Sequence, residues 1–367
     1  MDETHIAFMR RALDLARQAI GRTSPNPLVG TVIVKDGKII GEGYHQKAGA
    51  PHAEVHALNA AGEDAKGATL YTNLEPCCHW GRTPPCTEAL IHAGIAHVYI
   101  AEVDPNPNVA GKGVQQLQDA GISVHVGVCE QEASDLNEAH RKYIQTGRPF
   151  VILKIAMSLD GKIATPSGES QWITSEASRQ RGHEVRDAVD AILVGRGTVA
   201  SDNPALTTRL QDREGRDAIR IVLDSLGRTR TDARIFNPES EADVIVVVTP
   251  KAPSENVDAL EKAGAEVITV PAAHGNSVCF KRLMEVLGKR EITSVLIEGG
   301  GEINASALAA GVVDKVMCFI APKLIGGQNA PGPIGGVGIR SLTDATNLQR
   351  VSITPIAEHN FLIEGYL

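Results

Sequence analysis

The sequence has no excess of positive charge: 36 Lys and Arg stand against 44 Asp and Glu, for a formal net charge of −8. Such a chain has no general attraction for phosphate polymers, which argues against nucleic acid as a partner and leaves room only for a local basic cleft. It also lacks a long apolar run. Apolar stretches such as 151–157 and 244–248 fall far short of the roughly 20 residues a membrane helix requires, so no membrane span is predicted. The start, Met1-Asp2-Glu3, has neither the basic residues nor the apolar block of a secretory signal, and the reading is a cytoplasmic protein. Cysteine is scarce, 6 in 367 residues, and is not spaced as a disulfide framework. Cys77, Cys78 and Cys86 crowd together while Cys129, Cys279 and Cys318 lie far apart, and crowded thiols in a reducing compartment point to a metal. There is no internal repeat and no low-complexity segment.

A chain of 367 residues with 43% hydrophobic content is too long for one ordinary core, which predicts two domains. Ile6, Met9, Leu13, Ala16 and Ile20 recur at helical spacing, predicting an amphipathic helix that ends near Gly21. Asp36-Gly37 between the apolar runs 28–34 and 39–40 predicts a tight β-hairpin. Helix and strand then alternate, with helices over 52–61 and 86–93 and strands over 69–74 and 96–103. The pattern breaks at Gly147 and Pro149, and the boundary is set there, giving domains 1–146 and 147–367. Phe150 to Met157 opens a second series, with strands near 191–194, 219–223, 244–248 and 295–298 and a long Gly/Pro-rich loop over 326–338. Two α/β domains follow.

The most specific signal is His52-Ala53-Glu54 followed by Glu75-Pro76-Cys77 and Cys86. A catalytic zinc takes three protein ligands and keeps its fourth position for water, which one imidazole and two thiolates provide. Glu54, two residues beyond the histidine, would face the same cavity without binding metal and would relay protons while an activated water replaces an amino group on a ring carbon. Cys86 would open a helix after Pro84-Pro85, where a thiolate is favoured. The usual deaminase signature has two residues between its cysteines, whereas Cys78 to Pro85 separate them here. Cys78 and His79 are therefore alternative ligands, though Cys78, adjacent to Cys77, is poorly placed to share one ion. A structural zinc clip with four protein ligands, or deamination of a nucleoside, free base or tRNA, are the competing readings.

The second domain is less explicit. Glu298-Gly299-Gly300-Gly301 follows a strand and opens a helix without the spaced glycines of a dinucleotide fingerprint; glycines there either admit a phosphate to backbone amides or serve only the turn. Gly195-Arg196-Gly197-Thr198 and Ser201 to Thr207 follow a strand, where open α/β sheets bind ligands. Lys154 interrupts an apolar strand, which calls for a partner or for a stem that snorkels to an edge.

Ser24 to Gly30, Pro51 to Ala57, Leu74 to Cys77, Gly81 to Cys86, Asp104-Pro105-Asn106-Pro107, Ser158 to Lys162 and Glu169 to Thr174 resemble the bifunctional riboflavin biosynthesis deaminase-reductases over nearly the whole chain. The resemblance implies a cytidine-deaminase-like mixed-sheet domain followed by a dihydrofolate-reductase-like domain. It implies one zinc, NADPH, a homo-oligomer, and a small substrate: 2,5-diamino-6-ribosylamino-pyrimidinone 5'-phosphate, deaminated and then reduced from ribosyl to ribityl. By match of motif, Asn26 and His45 would contact the pyrimidine, and His79, Arg82, Asp104 and Asn106 the ribose phosphate. NADPH would fall to Ala156, Trp172, Thr198, Asp202, Ser225 and Gly299 to Gly301. Ser170, Arg186, Leu206, Arg209 and Glu298 would hold the reducible substrate, with Lys154 and Glu298 as candidates for handling protons.

Overall fold

The computed structural model describes residues 2–80, 84–107, 109–236, 239–273, 277–357 and 359–367. The chain divides into two compact units, Met1–Gly147 and Arg148–Leu367. Among the described residues no helix is long and apolar enough to cross a membrane.

The first unit runs α1 (Glu3–Arg17), β1 (Gly30–Lys35), β2 (Lys38–Tyr44), α2 (Ala53–Ala61), β3 (Thr69–Leu74), α3 (Cys86–Ala93) and β4 (His97–Glu102). It ends with α4 (Lys112–Asp119), β5 (Ser123–Val126), α5 (Glu130–Leu136) and α6 (Glu138–Thr146). Asp36 and Gly37 both adopt positive φ, 50° and 73°, as the hairpin requires. The sheet order is β2-β1-β3-β4-β5, with β1 antiparallel to both neighbours and β3, β4 and β5 parallel. Helices cover both faces: Val32 and Val34 cluster with Met9 and Leu13 of α1, and Ile33 with Ala57 of α2. Each such side chain contributes about 1.5–3 kcal/mol by leaving water. α2 lies so near the sheet that a Cβ on Gly43 would stand 2.6 Å from the Ala53 carbonyl oxygen, so only glycine fits there. α1 ends at Arg17, earlier than its apolar stripe predicts, because Gln18, Ala19 and Ile20 donate to carbonyls three residues back and tighten the last turn.

The second unit begins with β6 (Phe150–Ser158), α7 (Glu176–Ala188), β7 (Ala191–Gly195), α8 (Arg196–Asp202), β8 (Ile219–Leu223) and β9 (Val244–Val248). It continues with α9 (Ser254–Lys262), β10 (Glu266–Thr269), α10 (Phe280–Gly288), β11 (Ser294–Ile297), α11 (Gly301–Ala309), β12 (Lys315–Ala321), β13 (Gln349–Ile356) and β14 (Asn360–Tyr366). Its sheet has the order β10-β9-β8-β7-β11-β6-β12-β14-β13. β10 through β12 are parallel, and β14 and β13 add two antiparallel strands at one edge. Because helices lie on both faces, β7 and β9 are buried at every residue, which is why they read as unbroken apolar runs. β13 has no such signature: its first seven residues are exposed. The Gly/Pro-rich segment 326–338 carries neither helix nor strand.

Candidate active sites

In the first unit three elements converge on one point. His52 caps the start of α2, Cys77 lies just past β3, and Cys86 is the first residue of α3. His52 Nδ1 lies 3.2 Å from Cys86 Sγ and 3.5 Å from Cys77 Sγ. Tetrahedral zinc, with bonds near 2.0 Å to nitrogen and 2.3 Å to sulfur, places such atoms about 3.5 Å apart, so the trio fits the ion. Neither Cys78 nor His79 joins this cluster among the described residues. The Cys86 thiol and backbone N–H donate to the Cys77 sulfur, which outweighs burial and pulls the Cys77 pKa down to about 4; Cys86 is pushed up correspondingly. Burial, and then the Cys77 charge, also push the Glu54 carboxyl up. A cation at the centre would relieve both.

Glu54, in the first turn of α2, is 3% exposed, and its Oε2 is buried without a hydrogen-bond partner among the described residues. Such an orphan is costly unless a ligand or water completes it. Beside it, His45 Nδ1 donates to the Pro51 carbonyl oxygen at 3.1 Å, which leaves Nε2 to accept from Asn26 Nδ2 at 3.0 Å. Burial lowers the His45 pKa and keeps the ring neutral. The His45 and His52 rings meet edge-on at 5.4 Å. Asn26 and His45, which the resemblance assigns to the pyrimidine, thus lie beside His52.

Asp104 and Asn106 share a turn, Asp104 Oδ1 accepting from Asn106 N at 2.8 Å. Burial pushes Asp104 up to about 6, partly offset by that bond. His79 is exposed, and Arg82 lies outside the described residues. Sequence reasoning missed Glu75, noticed only as a letter of the Glu-Pro-Cys string. Its Oε2 accepts from Asp104 N (3.1 Å) and Gly111 N (2.9 Å) and its Oε1 from Val114 N (3.0 Å), tying the 104–111 loop and the start of α4 to the residue two before Cys77.

In the second unit a cavity of about 750 Å³ opens beside β6 and β11. Lys154 of β6, Arg186 of α7 and Glu298, one residue past β11, meet there. Arg186 forks onto Glu298 at 2.8 and 2.7 Å, and Lys154 Nζ lies 3.7 Å from Glu298 Oε2. Burial would raise the Glu298 pKa, but Arg186 and Lys154 outweigh it and hold the carboxyl below its usual range. Lys154 therefore has a charged partner, and Arg186 is no solvated helix face. Trp172 is 60% exposed at the cavity, under the Arg179 guanidinium at 4.5 Å, so it is not a core residue. Leu206, Arg209 and Asp202 also line the space.

Ala156, Ser170, Thr198, Ser225 and Gly299 to Gly301 do not line this cavity. Thr198 and Gly300 are neighbours, since Thr198 Oγ1 lies 3.9 Å from where a Gly300 Cβ would stand. Ser225 lies just beyond β8, its carbonyl accepting from Thr249 N and Oγ1 at 3.1 and 2.8 Å. His183 was not foreseen. It accepts from Arg209 N at Nδ1 (3.3 Å), and burial, with Arg186 and Arg209 nearby, lowers its pKa to about 4.

Residues 2–102 match the cytidine and deoxycytidylate deaminase zinc-binding region, and residues 149–362 match the RibD C-terminal domain. The chain is 46% identical over 355 residues to riboflavin biosynthesis protein RibD of Actinobacillus pleuropneumoniae, covering 97% of this chain and 93% of that protein. The chain belongs to the RibD family. A RibD structure from Acinetobacter baumannii aligns with TM-score 0.85 at 39% identity, covering 99% of both chains. A structure from Thermotoga maritima, named a diaminohydroxyphosphoribosylaminopyrimidine deaminase/5-amino-6-(5-phosphoribosylamino)uracil reductase, aligns with TM-score 0.86 at 38% identity over 99% of both. As a RibD, the chain is a bifunctional deaminase and reductase of riboflavin biosynthesis, with a zinc-binding deaminase domain and a reductase domain of the NADPH-using type.

Proposed function

We propose that the first unit deaminates the diaminopyrimidine ribosyl phosphate and that the second reduces the ribosyl group of the product to ribityl with NADPH, the pair of reactions named for the Thermotoga maritima relative. The observation that carries this reading is the His52, Cys77 and Cys86 trio beside Glu54, whose Oε2 is unpartnered among the described residues.

His52, Cys77 and Cys86 would hold a zinc, which would supply a water acidic enough to ionise near neutral pH. Asn26 and His45 hold the pyrimidine edge, the neutral His45 being fixed in one tautomer by Pro51. Glu54 is placed to take a proton from that water and to deliver it to the ring nitrogen next to the carbon bearing the amino group. It then helps protonate the departing ammonia, so one water is consumed and one ammonia released. His79, Arg82, Asp104 and Asn106 bind the ribose phosphate.

In the second unit NADPH supplies the hydride, and a proton must reach the nitrogen of the open-chain imine form of the sugar. Glu298, held anionic by Arg186, is a poor proton donor; it orients Lys154, and the Lys154 ammonium gives the proton. Ser170, Arg186, Leu206 and Arg209 hold the substrate. Ala156, Trp172, Thr198, Asp202, Ser225 and Gly299 to Gly301 hold the cofactor, the glycines admitting its phosphates to backbone amides where α11 begins.

We assign the domains as 1–146 and 147–367, one residue before the division of the two compact units at Gly147. The six unpaired cysteines suit a reducing cytoplasm. Exposed Val351, Ile353 and Phe361 on the antiparallel edge favour a homo-oligomer. The test is a coupled assay. Protein given the diaminopyrimidine phosphate should release ammonia, and NADPH added afterwards should be oxidised. Ammonia without oxidation would remove the reductase half, and faster turnover of cytidine or adenosine would replace the substrate.

A further inference from the structure

In the first unit residues 23–29 carry neither helix nor strand, yet they hold Asn26 against His45. Backbone that runs outside helix and ladder must find partners for its N–H and C=O groups elsewhere. Pro25 and Pro27, on either side of Asn26, bring no N–H of their own, which leaves the segment few donors with which to anchor itself.

Polar side chains supply the partners. Thr23 Oγ1 donates to the Asn26 carbonyl oxygen at 3.0 Å, and Asn26 N donates to the Thr23 carbonyl oxygen at 2.8 Å. Asn73 of β3, fully buried, accepts from Gly30 N at 2.8 Å and donates to the Leu28 carbonyl oxygen at 2.9 Å. Asn137, 3% exposed, takes both backbone groups of Leu28: its Oδ1 accepts from Leu28 N at 2.8 Å and its Nδ2 donates to the Leu28 carbonyl oxygen at 3.0 Å. His140 donates from Nδ1 to the Pro25 carbonyl oxygen at 3.2 Å.

Asn137 stands where α5 ends and α6 begins. An asparagine there ordinarily accepts from an N–H of its own helix, but its side chain makes no such bond among the described residues and serves Leu28 instead. Every residue of α6 is half-buried or exposed, so an apolar core does not account for the place of this helix. Its anchors are polar: Arg141 pairs with Glu102 of β4, and Asn137 and His140 reach the backbone on both sides of Asn26. Both residues also lie beyond 2–102, the stretch that matches the deaminase zinc-binding region.

We infer that Asn137 is a positioning residue for deamination: its grip on Leu28, with His140 on Pro25, fixes the turn that presents Asn26 to the pyrimidine. The inference rests on the deaminase reading of the first unit and on Asn26 as a pyrimidine contact. Asn137 acts through Asn26 and does not touch the substrate. A contact residue must be held to within about 0.5 Å to be useful, and a turn between two prolines, outside helix and strand, cannot hold itself so closely.

The test is a double-mutant cycle on the full chain, read by ammonia release, zinc content and NADPH oxidation on the deaminated substrate. N137L keeps the volume but loses both bonds to Leu28. It should raise KM for the diaminopyrimidine phosphate about tenfold and lower kcat by less than about threefold, as loss of a binding contact requires. Unchanged zinc content and NADPH oxidation would show that both units are folded. In the N26A background the same substitution should add less than about twofold, because its effect passes through Asn26. N137D keeps the acceptor for Leu28 N and should fall between N137L and the wild type; it carries the same cycle if N137L does not fold. Effects that multiply to about a hundredfold in the double variant overturn the inference. So do a fall in kcat at unchanged KM, or wild-type kinetics in N137L or N26A, and in each case deamination itself stands. A wild type that releases no ammonia from the diaminopyrimidine phosphate removes the deaminase reading and this inference together.

Discussion

At Glu54 the fold buries a carboxylate and leaves one oxygen unpartnered among the described residues, an arrangement that stability alone does not favour. Glu54→Gln is isosteric and keeps the zinc ligands, but the amide cannot shuttle a proton. Zinc content should stay near one per chain while deamination falls by about 10²–10⁴-fold, checked by metal analysis beside ammonia release. Loss of zinc in the variant would show that Glu54 acts on the metal instead. Lys154→Ala should lower NADPH oxidation by about 10²-fold or more and leave ammonia release unchanged; an unaltered oxidation rate would contradict its role. His183 adds a pH dependence of stability. Its folded pKa of about 4 lies below the ordinary 6.5, so the unfolded chain binds more protons between those values. Stability should therefore fall as pH drops from about 6.5 toward about 4, and urea melts of His183→Asn should have a flatter slope in that window. His52, Glu54, Cys77 and Cys86 were legible in the sequence because metal chemistry needs rare residue types at short spacings. Glu75 and His183 were not, since their partners lie 26 to 39 residues away and only the fold brings them together.

At the scale of elements, the local signals held where a backbone requirement is strict. Asp36-Gly37 turned the hairpin, and Pro85 preceded a helix that starts at Cys86. The close contact of α2 with β2 at Gly43 was not readable, because a glycine inside a strand does not name what approaches it. Glu75 acts at this scale: one side chain takes three backbone N–H groups and fixes the 104–111 loop beside Cys77. Glu75→Gln keeps the size but turns an amide toward those donors. The expected result is a rise of about tenfold in KM for the phosphorylated pyrimidine, a much smaller change in kcat, and a loss of about 1–3 kcal/mol in unfolding free energy. Glu75→Asp should recover part of the KM effect. A fall in kcat at unchanged KM would mean the clamp serves the metal centre and not the loop.

For the whole molecule, alternation of helix and strand was enough to predict two α/β units, since buried parallel strands announce themselves as short apolar runs. The antiparallel extension β14-β13 escaped because an exposed edge strand such as residues 349–355 has no buried face to give it a period. With each unit carrying its own site, the two activities should separate cleanly. A mixture of Glu54→Gln and Lys154→Ala proteins should restore conversion of the diaminopyrimidine to the ribityl product, followed by chromatography, because the deaminated intermediate can leave one molecule and enter another. The most direct test of zinc-dependent deamination followed by reduction is to follow ammonia and NADPH together in metal-stripped and zinc-restored protein. The expected result is ammonia release only with zinc and one NADPH oxidised per ammonia, with oxidation persisting in the stripped protein when deaminated substrate is supplied. Ammonia release undiminished by zinc removal, or NADPH oxidation that precedes it on the diaminopyrimidine, would contradict it.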